Sequence, residues 1–127
     1  CTRIYKDQNN LIHEEETSLI REFNFLVEQH FRDKHRVSDY ASLLNRSPKT
    51  LSNIFQKHSS KSPLQFIQNR KILESKRLLG YSDLQVQEIG HQIGYDDIQS
   101  FSRFFKRQTG QSPVSYRMNV SGKKDNN

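Results

Sequence analysis

Val86-Gln-Glu-Ile-Gly-His-Gln-Ile93, set beside Val37-Ser-Asp-Tyr-Ala-Ser-Leu-Leu44, decides how this chain folds. Tyr40/Ile89, Ala41/Gly90 and Leu44/Ile93 pair at one constant offset. One extra residue enters the second copy near Gly94-Tyr95. Beyond it, Leu51/Phe101, Ser52/Ser102, Phe55/Phe105, Ser62/Ser112, Pro63/Pro113 and Phe66/Tyr116 align fifty residues apart. Identities are few, but apolar character, small residues and punctuation agree, which is how an internal repeat shows itself.

Working outward, Val37, Tyr40, Ala41 and Leu44 fall at i, i+3, i+4 and i+7, the spacing of one apolar helical face. Ala41 and Gly90 are small, as a close helix crossing requires. A turn at Asn45-Arg46 leads to a second helix with Leu51, Ile54 and Phe55 inward. In the second copy Gly94 supplies the turn, because glycine takes positive φ without steric cost. Two helices joined by a short turn make a helix-turn-helix.

Every proline follows a serine: Ser47-Pro48, Ser62-Pro63 and Ser112-Pro113. Serine caps an orphan backbone N–H, and proline is pre-set for the first helical position. Helices are therefore predicted to start at 48, 63 and 113, and Asp97 stands where Ser47 does, as a fourth cap. Between the copies, Pro63 to Leu79 carries Leu64, Ile67, Leu78 and Leu79, with Gly80 as the expected residue just past its end. About 17 residues at ~1.5 Å rise give a rod of ~25 Å, which with the width of the readers suits two of them one duplex turn (~34 Å) apart.

Upstream, Leu19, Phe23, Leu26, Val27 and Phe31 form an apolar stripe that supports the first unit. Glu14-Glu15-Glu16 sit where carboxylates favour a helix N-terminus. Residues 1–13 show no period and read as a linker remnant of a missing upstream domain, in keeping with the absence of an initiating methionine. Residues 119–127 are polar and read as a disordered tail. The expected organisation is all-α with about seven helices: a first unit over about 14–62, a linker helix over 63–80 and a second unit over 81–118.

The charge is +6 and unevenly distributed. Residues 1–35 carry five Lys/Arg against seven Asp/Glu, and residues 36–127 carry fifteen against seven. A basic excess confined to one region is the footprint of a polyanion partner. Cys1 is alone, which excludes an internal disulfide and a cysteine-based zinc site, and fits a reducing cytoplasm. No apolar run is long enough to span a membrane. His13, His30, His35, His58 and His91 lack ligand spacing, so no metal is expected. Neither a nucleophile elbow nor a Gly-rich phosphate loop is present, so no catalytic residue and no cofactor is expected.

Gln87-Glu-Ile-Gly-His-Gln-Ile-Gly-Tyr95, then Phe101-Ser-Arg-Phe-Phe-Lys-Arg-Gln-Thr-Gly-Gln-Ser-Pro113 and Tyr116-Arg117, resemble the C-terminal DNA-binding domain of AraC/XylS-family bacterial transcription regulators. The resemblance covers about residues 18–118 and is looser in the first motif, through Leu51-Ser52, Phe55, Lys61-Ser-Pro63 and Phe66. It implies a homeodomain-like pair of helix-turn-helix subdomains on a central linker helix, double-stranded DNA as partner, and a cytoplasmic output domain. It implies too a control or dimerising domain upstream, and RNA polymerase as a further partner where the regulator activates. The sequence departs from the family at Ser60, where Gly is usual, at Gly90 and Ser75, where Ala is usual, and at Lys71, where Arg is usual. Gln99-Ser100-Phe101 replaces the usual Ser-aromatic-Phe, so no target sequence transfers.

In this motif the second helix of each unit lies in the major groove with its early residues at base edges. With Phe55 and Phe105 inward, the outward positions are Lys49, Ser52, Asn53 and Gln56, and Ile98, Gln99, Ser102, Arg103 and Lys106. Arginine fits guanine O6/N7, Asn and Gln fit adenine N6/N7, and Ile98 suits a thymine methyl. The base-reading set is therefore Lys49, Ser52, Asn53, Ile98, Gln99, Ser102 and Arg103. Arg46, Thr50, Lys57, Arg70, Lys106 and Arg107 are the phosphate set. Two other classes stay open at this point: a helical module for an acidic protein surface, and a DNA module fused to a repair enzyme.

Overall fold

The computed structural model describes the backbone of residues 2–125 and the side chains of residues 11–120. Among the described residues seven helices follow one another: α1 (Thr2–His30), α2 (Val37–Leu43), α3 (Pro48–His58), α4 (Pro63–Tyr81), α5 (Val86–Ile93), α6 (Ile98–Thr109) and α7 (Pro113–Asp125). The described residues form two compact units, residues 2–30 with 34–67, and residues 31–33 with 68–125. No strand occurs among the described residues.

In the first unit, α1, α2 and α3 meet around Phe23, Tyr40, Leu51 and Phe55, all fully buried. Phe23 sits edge-on to Phe55 at 5.0 Å and tilted against Tyr40 at 5.4 Å, and Phe66 at the start of α4 closes on Phe55 at 5.3 Å. Each such ring contributes about 1.5–3 kcal/mol by leaving water. Tyr40 keeps its hydroxyl satisfied by donating to the Lys34 carbonyl at 2.8 Å.

The α2–α3 turn follows from hydrogen bonds at the end of α2. The Arg46 amide donates to the Ala41 carbonyl at 2.9 Å and the Asn45 amide to Ser42 at 3.2 Å, with Asn45 left-handed at φ 56°. In the second unit the Tyr95 amide donates to Gly90 and the Gly94 amide to His91, with Gly94 at φ 111°. Both are the same helix-ending motif, which needs one left-handed residue. Glycine and asparagine are the residues that tolerate it. Gly94→Ala is expected to destabilise the chain by about 1 kcal/mol, read as a lower thermal midpoint, whereas Asn45→Gly leaves it unchanged or raises it.

The second unit buries Ile89, Ile93, Phe101 and Phe105 completely, with Phe31, Leu78 and Leu79 around them. Tyr116 of α7 meets Phe105 edge-on at 5.5 Å. The smallness of position 90 is structural, since a Cβ there would lie 3.1 Å from the Phe101 Cβ. One buried carboxylate, Glu74, is shared by Arg32, Arg70 and Arg77, and Arg70 stacks on the Phe31 ring at 4.5 Å.

The serine caps act as the sequence predicts. Ser47 Oγ accepts from the Thr50 amide, Ser62 Oγ from Gln65 and Ser112 Oγ from Ser115. Gln65 reciprocates by accepting from the Ser62 amide at 3.0 Å, completing a capping box.

Four local expectations change. Gly80 does not end its helix; α4 runs on to Tyr81, because Arg117 reaches back to the last carbonyls. Its Nε donates to Leu79 at 3.0 Å and its Nη2 to Leu78 and Ser82, so no left-handed glycine is required. Glu14 to Glu16 lie inside α1 instead of at its start, since neither Pro nor Gly interrupts residues 2–30. For the same reason residues 2–13, read as linker, are helical. Residues 119–125, read as tail, continue α7, where Gly122 costs only about 1 kcal/mol relative to Ala. Residue 1 of that linker and residues 126 and 127 of that tail lie outside the described residues.

Candidate nucleic-acid interface

Two helices present the same surface. On α3 the buried Leu51, Ile54 and Phe55 fix the inner face. Lys49, Ser52, Asn53, Gln56 and Lys57 are then exposed on the outer one. On α6 Phe101 and Phe105 point inward. Gln99, Arg103, Lys106 and Arg107 are exposed, Ser102 is half-buried, and Ile98 shows 41% of its surface. Fifty residues apart, Lys49/Gln99, Ser52/Ser102, Asn53/Arg103, Gln56/Lys106 and Lys57/Arg107 occupy matching positions.

The starts of these helices differ in charge. Ser47 donates its hydroxyl to Thr50 Oγ1 at 2.8 Å, leaving the Thr50 proton free to donate elsewhere. Asp97 accepts from the Ser100 amide at 2.7 Å and from the Ser100 hydroxyl at 3.1 Å. Those bonds, the amide first, hold the Asp97 carboxyl below its ordinary range, and the Arg103 charge acts in the same direction. Among the described residues Arg103 nonetheless makes no ion pair within 4.0 Å, and its side chain is exposed.

The phosphate set divides. Lys106 and Arg107 end α6 exposed, and Arg46 is exposed in the first turn. Lys57 lies 3.5 Å from Glu16 of α1, while His58 lies 2.8 Å from the same carboxylate. The bond to His58, then the Lys57 charge, lowers the Glu16 carboxyl from its ordinary value. Arg70 shares Glu74 and covers Phe31.

Sequence reading missed several groups. A cleft of about 370 Å³ flanks the outer face of α3, lined by Ser52, Gln56, Ser59, Lys61 and Gln65. The signal is the serine-rich run Ser59-Ser60-Lys61-Ser62, whose period says nothing of a cleft. His13 and His58 stack edge-on at 4.9 Å although 45 positions separate them in sequence. No group of three or more His, Cys, Asp or Glu arranged for a metal exists among the described residues. Lys71 is buried on α4 beneath α6, with its Nζ 2.7 Å from the Tyr95 hydroxyl. Burial pushes the Lys71 amine down to about 8 and the Tyr95 phenol up to about 12.

No helix among the described residues is long and apolar enough to cross a membrane. Comparison with known proteins gives consistent matches. Residues 40–119 match a helix-turn-helix domain family. The arabinose operon regulatory protein of Salmonella typhimurium is 30% identical over 110 residues, which are 86% of this chain and 39% of that protein. The raffinose operon transcriptional regulatory protein RafR of Pediococcus pentosaceus is 30% identical over 102 residues, 78% of this chain and 37% of its own length. The chain thus spans under two fifths of these relatives. Among solved structures, the C-terminal domain of AraT, a response regulator from Geobacillus stearothermophilus, superposes with a TM-score of 0.73 at 28% identity, covering 80% of this chain and 84% of that one. The DNA-binding domain of AdpA, solved with a target DNA, shares the fold with a TM-score of 0.71 at 24% identity over 88% of this chain and 97% of that one. With seven helices, a doubled turn motif and these matches together, the chain belongs to the AraC/XylS family of helix-turn-helix regulators.

Proposed function

We propose that the chain binds double-stranded DNA sequence-specifically, as the non-catalytic output domain of a bacterial transcription regulator acting in the cytoplasm on the nucleoid. One observation carries this: two capped helices expose matched polar sets, Lys49, Ser52 and Asn53 on α3, and Gln99, Ser102 and Arg103 on α6, above an apolar inner face. Each helix reads one of two successive major-groove segments. Ile98 lies against a thymine methyl. Arg46, Thr50, Lys57, Lys106 and Arg107 hold phosphates and set register without reading sequence. Arg70 is the weakest of the phosphate set, since Glu74 already shares its charge. Dimerisation, and RNA polymerase contact where the regulator activates, belong to the whole protein.

Selection from a random duplex pool tests the reading by yielding a site and its half-site spacing together. Affinity for that site is expected to fall steeply with salt, by roughly 0.9 per neutralised phosphate on a log–log plot. Lys106→Ala is expected to reduce that slope by about one and to weaken all sequences alike. Affinity indifferent to salt, or equal for every sequence in the pool, would overturn the proposal.

A further inference from the structure

Lys71 projects from α4 into the second unit and is only 4% exposed, yet it carries an ammonium. Its Nζ donates to the Tyr95 hydroxyl at 2.7 Å and lies 4.5 Å from the Tyr95 ring centre and 4.4 Å from that of Phe104. The two rings are 5.4 Å apart and tilted, so they form a two-walled aromatic cage. Tyr95 belongs to the turn between α5 and α6, and Phe104 follows Arg103 directly on α6. A methylene chain of the same length would fill this space without the desolvation that a buried charge entails. The charge adds direction: a cation is held against the Phe104 ring, and a donor is held to the Tyr95 oxygen at the edge of its ring.

We propose that Lys71 is the positioning residue of the second recognition helix, its caged ammonium tying the α5–α6 turn and α6 to α4 and so fixing the angle at which Gln99 and Arg103 meet a base edge. This rests on the DNA-binding reading above. Around the cage, the titratable and charged groups are Tyr95 in the turn, His91 on α5, whose Nδ1 lies 3.0 Å from the Tyr95 carbonyl, and Arg107 on α6, whose charge reaches the Tyr95 phenol. On α4 itself they are Arg70 and Glu74, which pair with each other.

The cage has a chemical handle. Burial brings the Lys71 amine down to about 8, while Tyr95, at about 12, remains a phenol throughout that range. On losing its proton, Lys71 can still share a hydrogen bond with Tyr95, because the phenol donates to the neutral amine. What vanishes is the attraction of a cation for the Phe104 ring and the charge on the hydrogen bond to Tyr95.

The test compares wild type, Lys71→Arg and Lys71→Met on a duplex recovered by selection and on its scrambled counterpart. The wild-type preference for the selected duplex is expected to fall roughly fivefold between about pH 7 and about pH 9.5, the size of a lost cation–π attraction. Lys71→Arg, charged throughout, keeps its preference at both. Lys71→Met shows the reduced preference already at neutral pH, with unchanged affinity for the scrambled duplex. Should Lys71→Met fail to fold, the pH profiles of wild type and Lys71→Arg still decide, and identical profiles overturn the proposal. Without DNA, the ring-proton resonances of Tyr95 and Phe104 are expected to titrate near pH 8 in wild type and to stay flat in Lys71→Arg. Flat wild-type resonances overturn the cage whatever DNA does. Titrating resonances with no preferred duplex at any pH instead overturn the DNA reading.

Discussion

Phe55→Ala is expected to destabilise the chain by about 3–5 kcal/mol, enough to unfold the first unit of a domain this small. Phe55 is fully buried and receives the edges of Phe23 and Phe66, from α1 and from the start of α4. Removing its ring forfeits the burial of about six carbons and leaves a void lined by Phe23 and Phe66. Phe23 also leans on Tyr40, whose hydroxyl holds the Lys34 carbonyl, so the loss spreads to the segment before α2. Denaturant titration followed by far-ultraviolet circular dichroism measures this. Phe55→Leu, which keeps most of the volume, is expected to lose less than half as much. Equal losses for the two would mean that packing around position 55 is loose.

Arg103→Ala has the largest expected effect on recognition, about 1–3 kcal/mol, or roughly five- to 150-fold in affinity for the selected site. Arg103 stands exposed one turn into α6, and the nearby carboxylate, Asp97, is already accepting two hydrogen bonds from Ser100. An exposed pair with Asp97 would in any case hold the guanidinium weakly. Repeating the pool selection with the variant is expected to relax preference at one base pair, with stability unchanged. Arg103→Lys should restore phosphate-like affinity without the preference, because an ammonium lacks the planar fork that matches two acceptors on guanine. A variant that lost affinity equally for every sequence would place Arg103 on the backbone instead.

Much of this architecture is legible in the chain itself. The helix starts at Pro48, Pro63 and Pro113 follow from serine chemistry that acts over three residues, and the turn at Gly94 from a single backbone requirement. Asn45 meets the same requirement less conspicuously, and the repeat offset is what reveals its equivalence. The end of α4 was illegible because its cap comes from Arg117, nearly forty residues away. A local rule looks only at Gly80. The start of α1 was misplaced for a related reason: helix continues wherever nothing stops it, and apolar period fades before helical backbone does. The outer faces of α3 and α6 were readable from period alone, whereas the commitment of Lys57 to Glu16 and of Arg70 to Glu74 needed the fold. Lys71 stood out in the sequence only as a departure from the family's arginine, and its partners Tyr95 and Phe104 needed the fold.

The matched turns and caps have an evolutionary consequence. Ser47 and Asp97 do one task with different side chains, as do Asn45 and Gly94, while the matched outward positions differ at Lys49/Gln99, Asn53/Arg103 and Gln56/Lys106. Exchanges at exposed helical sites usually change stability by no more than about 0.5 kcal/mol. Such a scaffold can therefore drift toward new operators one base at a time without passing through unfolded intermediates. Because it carries two readers, one can wander while the other keeps the gene bound.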